Sequence, residues 1–265
     1  GLPGCVRSPA LNGADWVLER IACDVTVTAR DIAAMGVGGL LKEIPSRPQP
    51  RGAPRPLSGR PRVAALVLAA GAARRMRGRD KLMEEVDGQP LLCRIIARAA
   101  ASNVESVHVT VPSPKHPRTA LAIAAGVEAV PVPDAAAGMA ASLRRGIAAL
   151  PAECDAVVVV LADMPDVTTG HIDRLITAFD PAEGREICRA VSAGGTPGHP
   201  VLFGRRFFET LGRLSGDAGA KPVLKEAAEF VIDVPTEGEG AVTDLDTPEA
   251  WTAWRAGRQT PEAVD

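Results

Sequence analysis

Tyrosine is absent from the 265 residues, and aromatic side chains together make up only 3% of them. A surface that holds single strands by stacking bases on rings is therefore excluded. Charge of one sign is not in excess either. The 30 Lys and Arg stand against 32 Asp and Glu, for a net charge of -2, which does not suit a general polyanion binder. No apolar run approaches the ~18 residues of a membrane span, and the first residues lack the charged-then-apolar order of a secretory signal. Cysteine is sparse: Cys5, Cys23, Cys93, Cys154 and Cys188 lie far apart and never form C-x-x-C. Neither a disulfide framework nor a zinc site is expected from them. These absences predict a soluble, cytoplasmic protein with reduced thiols and no nucleic-acid or membrane partner.

What is present is an apolar fraction of 46%, enough for one large core. Residues 1–44 show helical spacing around Trp16, Val17 and Ile21, but the piece is too short for a dependable core of its own. Residues 45–61 carry six prolines and four arginines, the composition of an extended linker. From residue 62 the pattern changes. Val63 to Ala70 is a continuous apolar run closed by Gly71, and Ala156 to Ala162 is a second, closed by Asp163. Such runs suit strands buried on both faces. Helical spacing over 91–101, 118–125 and 140–150 alternates with strand-like runs over 107–111 and 127–132. The alternation predicts an α/β fold over 62–257, Rossmann-like and doubly wound around a mostly parallel sheet, with 258–265 as a tail. Ligands in such sheets bind beyond the carboxyl ends of the strands, where Gly71 and Asp163 fall.

Residues 68–82 read L-A-A-G-A-A-R-R-M-R-G-R-D-K-L, with five cations from Arg74 to Lys81 against the single Asp80. A strand end, a glycine and converging cations make a cradle for a polyphosphate. No G-K-[ST] closes the loop and G-x-G-x-x-G is absent, so it is neither a Walker A nor a dinucleotide fingerprint. A solvated basic loop ahead of a helix has the same composition. The stretch resembles the L-x-[AG]-G-x-x-x-R-[MF]-G…K signature of nucleotide-sugar and cofactor nucleotidyltransferases. The resemblance implies that Leu68, Ala69, Ala70 and Gly71 line the nucleotide, and that Arg75 and Lys81 hold its β- and γ-phosphates. Two positions depart from the signature: Ala73 replaces a common Ser, and Arg77 replaces a common Gly, with Gly78 displaced by one.

Asp163 follows an apolar strand directly, in L-A-D-M-P. A carboxylate there is costly to desolvate unless it is paired or bound to a cation, and Mg2+ favours such an oxygen together with phosphate oxygens. The alternative is a helix cap over 169–178, for which Thr168 and Thr169 stand better. In T-D-L-D-T-P-E (243–249) the resemblance makes Asp244 a second metal ligand. Asp246 reads instead as the N-cap of a last helix opened by Pro248. Residues 138–143, G-M-A-A-S-L, resemble the family's G-[MQ]-x-x-S-[LIV] segment, which implies that Gly138 and Ser142 pack against base and ribose. Without the resemblance the same residues read as a capped amphipathic helix.

G-T-P-G-H-P-V-L-F (195–203) and L-S-G-D-A-G-A-K (214–221) narrow the family further. Both look like the molybdenum cofactor cytidylyltransferase branch of the MobA-like NTP transferases. The resemblance implies transfer of CMP from CTP to Mo-molybdopterin, with release of pyrophosphate, Mg2+ as cofactor and a recipient molybdoenzyme as a further partner. Arg75, Lys81 and Asp163 are then the catalytic set, Asp163 and Asp244 the metal ligands, and His199, Pro200 and Asp217 the acceptor side. A histidine between Gly and Pro is also an ordinary turn residue. Ala70, where guanylyltransferases of the pathway carry a second glycine in L-A-G-G, favours CTP over GTP. Residues 1–16 resemble the closing segment of molybdopterin-binding domains, so 1–44 reads as a remnant of one. Three other readings stay open: a guanylyltransferase using GTP, a cytidylyl- or uridylyltransferase for a sugar or polyol phosphate, and a non-catalytic cofactor carrier or insertion chaperone.

Overall fold

A computed structural model describes residues 59–72 and 74–259. The chain divides after Arg55 into two units, and the described residues all belong to the second. The reading of 1–44 as a domain remnant, most of the linker expected over 45–61 and most of the tail expected over 258–265 lie outside them.

The first apolar run forms strand β1 (Val63–Leu68). A short hairpin follows, β2 (Glu85–Val86) and β3 (Gln89–Pro90). Helix α1 (Leu91–Ala100) has no side-chain cap; its first N–H groups donate instead to Glu84 O and Leu82 O, at 2.9 and 3.1 Å. The alternation continues through β4 (Ser106–Val111), α2 (Pro117–Ala124), β5 (Glu128–Pro131), α3 (Met139–Ala149) and β6 (Ala156–Leu161). Helix α4 (Thr169–Ala178) begins where the sequence predicts, with the Thr168 hydroxyl accepting from His171 N at 3.2 Å. Strands β7 (Ile187–Val191) and β8 (Pro197–Gly204) follow, then short helices α5 (Phe208–Leu211) and α6 (Lys221–Glu226). Strand β9 (Val231–Pro235) and helix α7 (Pro248–Gln259) complete the unit.

Seven strands make one sheet in the order β5-β4-β1-β6-β8-β7-β9. All pairs are parallel except those of β8, which runs against both β6 and β7. Period-two alternation splits β1 between two cores. Val63, Ala65 and Val67 join the side chains of α1, α2, α4 and α7, while Leu66 joins those of α3, α5 and α6 on the other face. Both faces are covered, which is why the strand carries no polar residue. Gly146 permits the close approach of α3, because a Cβ there would lie 2.4 Å from Leu66. The reversal of β8 matters most for function. Its amino end lies beside the carboxyl end of β6, so residues 197–199 are delivered to that edge of the sheet.

Candidate active site

The loop after β1 is fixed from below. Ala69 N donates to both the carbonyl and the hydroxyl of Thr110, at 3.1 Å each. Ala70 is buried with Val132 and Ala141. Gly71 is exposed, has no positive φ, and a Cβ added to it would meet nothing within 4 Å. The fold itself does not require a glycine there. Met76, inside the basic stretch, and Leu82, just after it, are buried anchors, while Arg75, Arg77 and Arg79 face solvent. The departure at 77 is visible in the backbone, where Arg77 takes φ 51° and Gly78 φ 87°. Consecutive left-handed residues are costly for any side chain but glycine.

Lys81 stands at the centre of the site. Its Nζ is 2.5 Å from Asp163 Oδ2 and 2.5 Å from Asp246 Oδ1, and Arg75 Nη2 is 2.5 Å from Asp246 Oδ2. Burial pulls the ammonium down, but the charges and hydrogen bonds of Asp163 and Asp246 outweigh it and hold Lys81 above the usual lysine value. Burial likewise raises Asp246, yet Lys81 and then Arg75 bring it below the usual carboxylate range. Asp244, exposed beside it, is pushed up by burial and by the charge and hydrogen bond of Asp246.

Asp246 reaches this position because a strap carries it there. Residues 236–246 leave β9 and run along β8, with His199 N donating to Ala241 O at 2.8 Å and Leu245 N to Asp163 O at 3.0 Å. Gly198 makes the approach possible, since a Cβ on it would sit 1.9 Å from Ala241 O. The capping expected of Asp246 falls to its neighbour. Thr247 Oγ1 accepts from Ala250 N at 3.2 Å, leaving both Asp246 oxygens for Lys81 and Arg75.

His199 is half-buried on β8 beside the Asp163 carboxylate. Burial lowers its imidazole below the usual value against the pull of Asp163, and its Nδ1 has no hydrogen-bond partner among the described residues. Pro200, joined to it by a cis peptide, is buried. Gly138 (φ 104°) and Asp217 are in direct contact: a Cβ on Gly138 would lie 2.3 Å from Asp217 Oδ1, and Ala140 N donates to Gly216 O at 3.2 Å. The segment expected at the base and the segment expected at the acceptor therefore touch. Ser142 is buried within α3, a turn below that contact.

Among the described residues no three His, Cys, Asp or Glu side chains form a closed metal cage. The donor chemistry nevertheless fits a hard divalent cation. Two carboxylates already share one cationic group, the Lys81 ammonium, and Asp163 Oδ1 has no partner among the described residues. Two carboxylates completed by phosphate oxygens are the arrangement such ions take. Arg118 is the residue that sequence reasoning missed. Buried in the first turn of α2, it binds Ala69 O, Gly71 O and both oxygens of Asp80. The available signal was a cation placed at a helix start, against the dipole.

Residues 65–230 match the MobA-like NTP transferase domain. The purine catabolism protein PucB of Bacillus subtilis (strain 168) is 29% identical over 204 residues, 72% of this chain and 95% of that protein. The molybdenum cofactor guanylyltransferase of Burkholderia vietnamiensis (strain G4 / LMG 22486) is 34% identical over 140 residues, 52% of this chain and 65% of the relative. The crystal structure of Rv0371c from Mycobacterium tuberculosis H37Rv superposes with a TM-score of 0.62 at 25% identity, covering 74% of this chain and 98% of that one. The same mycobacterial protein has also been solved in complex with manganese, with a TM-score of 0.59 at 25% identity over 72% of this chain and 97% of that one. The chain belongs to the MobA-like NTP transferase domain family and is a nucleotidyltransferase of that type.

Proposed function

We propose that this nucleotidyltransferase is a molybdenum cofactor cytidylyltransferase, moving CMP from CTP to Mo-molybdopterin with release of pyrophosphate. The observation that carries the reading is the meeting of Lys81, Asp163 and Asp246 at the carboxyl edge of the sheet, beside the open glycine Gly71 and with His199 alongside. A terminal phosphate oxygen of molybdopterin attacks the α-phosphorus of CTP in line. The new P–O bond forms as the bond to the bridging β-oxygen breaks, and pyrophosphate leaves with the electron pair. No side-chain nucleophile is needed; the work is positioning and charge neutralisation. Arg75 and Lys81 take up the charge of the leaving pyrophosphate, and Lys81, held above its ordinary pKa, stays cationic throughout the working range. Asp163 and Asp244, with Asp246 beside them, would hold Mg2+, which would neutralise phosphate charge. His199, whose imidazole burial holds below its usual value, stands on the acceptor side, near the phosphate or pterin.

For the base, Ala70 supports CTP: its buried methyl narrows the space beside the base, which leaves room for a pyrimidine and crowds a purine. A guanylyltransferase is the second reading, favoured by the name of the Burkholderia relative. The test is pyrophosphate release with Mg2+ and Mo-molybdopterin in the presence of CTP, GTP, ATP or UTP. Release with CTP is the expected result. Release with GTP alone moves the protein to the guanylyl reading, and silence with every nucleotide despite tight cofactor binding replaces the enzyme with a carrier.

A further inference from the structure

Arg118 belongs to none of the motifs that led to the site, and its own helix does not call for it, since a cation in the first turn opposes the helix dipole. It is nevertheless 2% exposed and fully engaged. Nε and Nη2 grip the two oxygens of Asp80 at 2.8 and 2.5 Å, and Nη1 donates to Ala69 O at 2.6 Å and Gly71 O at 2.9 Å. The helix start is built to hold it: Pro117 opens α2, and His116 Nδ1 accepts from Arg118 N at 3.3 Å.

Two consequences follow from these bonds. In a trans peptide the carbonyl and the next N–H point in opposite directions. Drawing Ala69 O and Gly71 O inward onto Arg118 therefore turns the N–H groups of Ala70 and Ala72 outward. Neither donates to an acceptor among the described residues. The second consequence concerns Asp80, the single acid between Arg74 and Lys81. Free, it would compete with any anion for the cations around it. Instead both its oxygens face Arg118, and Oδ1 also accepts from Leu82 N at 3.0 Å.

We infer that Arg118 is the positioning residue of the phosphate loop: it aims the loop's N–H donors at an incoming polyphosphate and withholds Asp80 from the loop's cations. The inference rests on reading residues 68–82 as the triphosphate site, so its test uses a probe that needs neither the base nor the acceptor. Binding of inorganic tripolyphosphate with Mg2+ is measured by calorimetry on the full chain, well below the melting temperature, for wild type, Arg118→Lys and Arg118→Gln. Arg205→Gln serves as a stability control, because Arg205 binds Cys154 O at 2.7 Å at the opposite end of β6. The expected result is a loss of about tenfold or more in both Arg118 variants, the scale of a broken charge-assisted bidentate contact, with wild-type affinity in the control. Arg118→Lys keeps the charge and loses the fork, so it reads the geometry even where Arg118→Gln fails to fold. A folded Arg118 variant within twofold of wild type overturns the inference, as does an equal loss in Arg205→Gln. A wild type that does not bind tripolyphosphate overturns the site reading itself.

Discussion

Lys81 is held by opposing demands. Burial favours a neutral amine, yet two carboxylates at 2.5 Å keep it charged, so its place in the structure depends on its partners and theirs on it. Replacing Lys81 or Asp163 by alanine should lower kcat by roughly 10²–10³, the cost of removing one preorganised electrostatic contact; steady-state pyrophosphate release checks this, and a near-normal rate removes that residue from the mechanism. Asp246→Ala should fall in the same range, since Asp246 touches both cations of the site. A separate prediction concerns buried imidazoles away from the reacting edge. His108 and His171 are buried, and burial lowers both below the usual histidine value, in His108 against the pull of Glu128 Oε2, 3.3 Å from its Nδ1. Between that lowered value and about 6.5, the value of a free histidine, the unfolded chain binds protons that the folded chain does not. Stability therefore rises with pH through this window: it is complete above about 6.5 and declines as pH falls below it. The melting temperature should drop between pH 7.5 and 5.5; a flat profile contradicts the assignment.

At the scale of elements, the strap over 236–246 and strand β8 form one device. Gly198 lets them touch, and the contact sets Asp246 opposite Lys81. Gly198→Ala forces backbone apart and should cost about 2 kcal/mol, within the range for overpacking. Denaturant unfolding measures that loss, and unchanged stability would show that the strap gives way easily. Strands β1 and β6 were legible in the sequence because both faces of each are buried, leaving unbroken Val, Ala and Leu. Thr168 was legible as a cap because a hydroxyl before a helical run has one obvious use. Strand β8 was not, since P-G-H-P opens it with residues that mark turns, and only its antiparallel insertion explains their place at the ligand edge. Asp246 was misjudged as a cap for a related reason. Thr247 stands next to it with equal capping ability, and the choice between them is made by Lys81, 165 residues away in sequence. Arg118 left almost no trace, because its acceptors lie 38 to 49 residues away in sequence and only the fold brings them to it.

Across the whole molecule, the site is assembled from both ends of the described unit. The loop after β1 brings the cations, β6 and β8 bring Asp163 and His199, and the strap brings Asp246 from beyond the residues 65–230 that match the family. Helix α7 closes the arrangement. Its Trp251 is buried, Trp254 Nε1 donates to Asp166 at 2.7 Å, and Arg255 and Arg258 pair with Glu84 and Asp87. It thus bears on the elements that follow both β1 and β6. Trp251→Ala should cost about 3 kcal/mol, the lower end for removing a buried aromatic, visible as a fall of roughly 6–12 °C in melting temperature for a unit of this size. A smaller change than half of that would mean α7 is not part of the cooperative unit. The central claim, cytidylyl transfer at this edge of the sheet, is tested most directly by the fate of labelled phosphorus. CTP labelled on the α-phosphorus and CTP labelled on the γ-phosphorus are incubated in parallel with the full chain, Mg2+ and Mo-molybdopterin, and the products are separated. The α-label should appear on the pterin, carried there as CMP, and the γ-label in pyrophosphate; an α-label that stays in CTP or appears only in free CMP contradicts cytidylyl transfer.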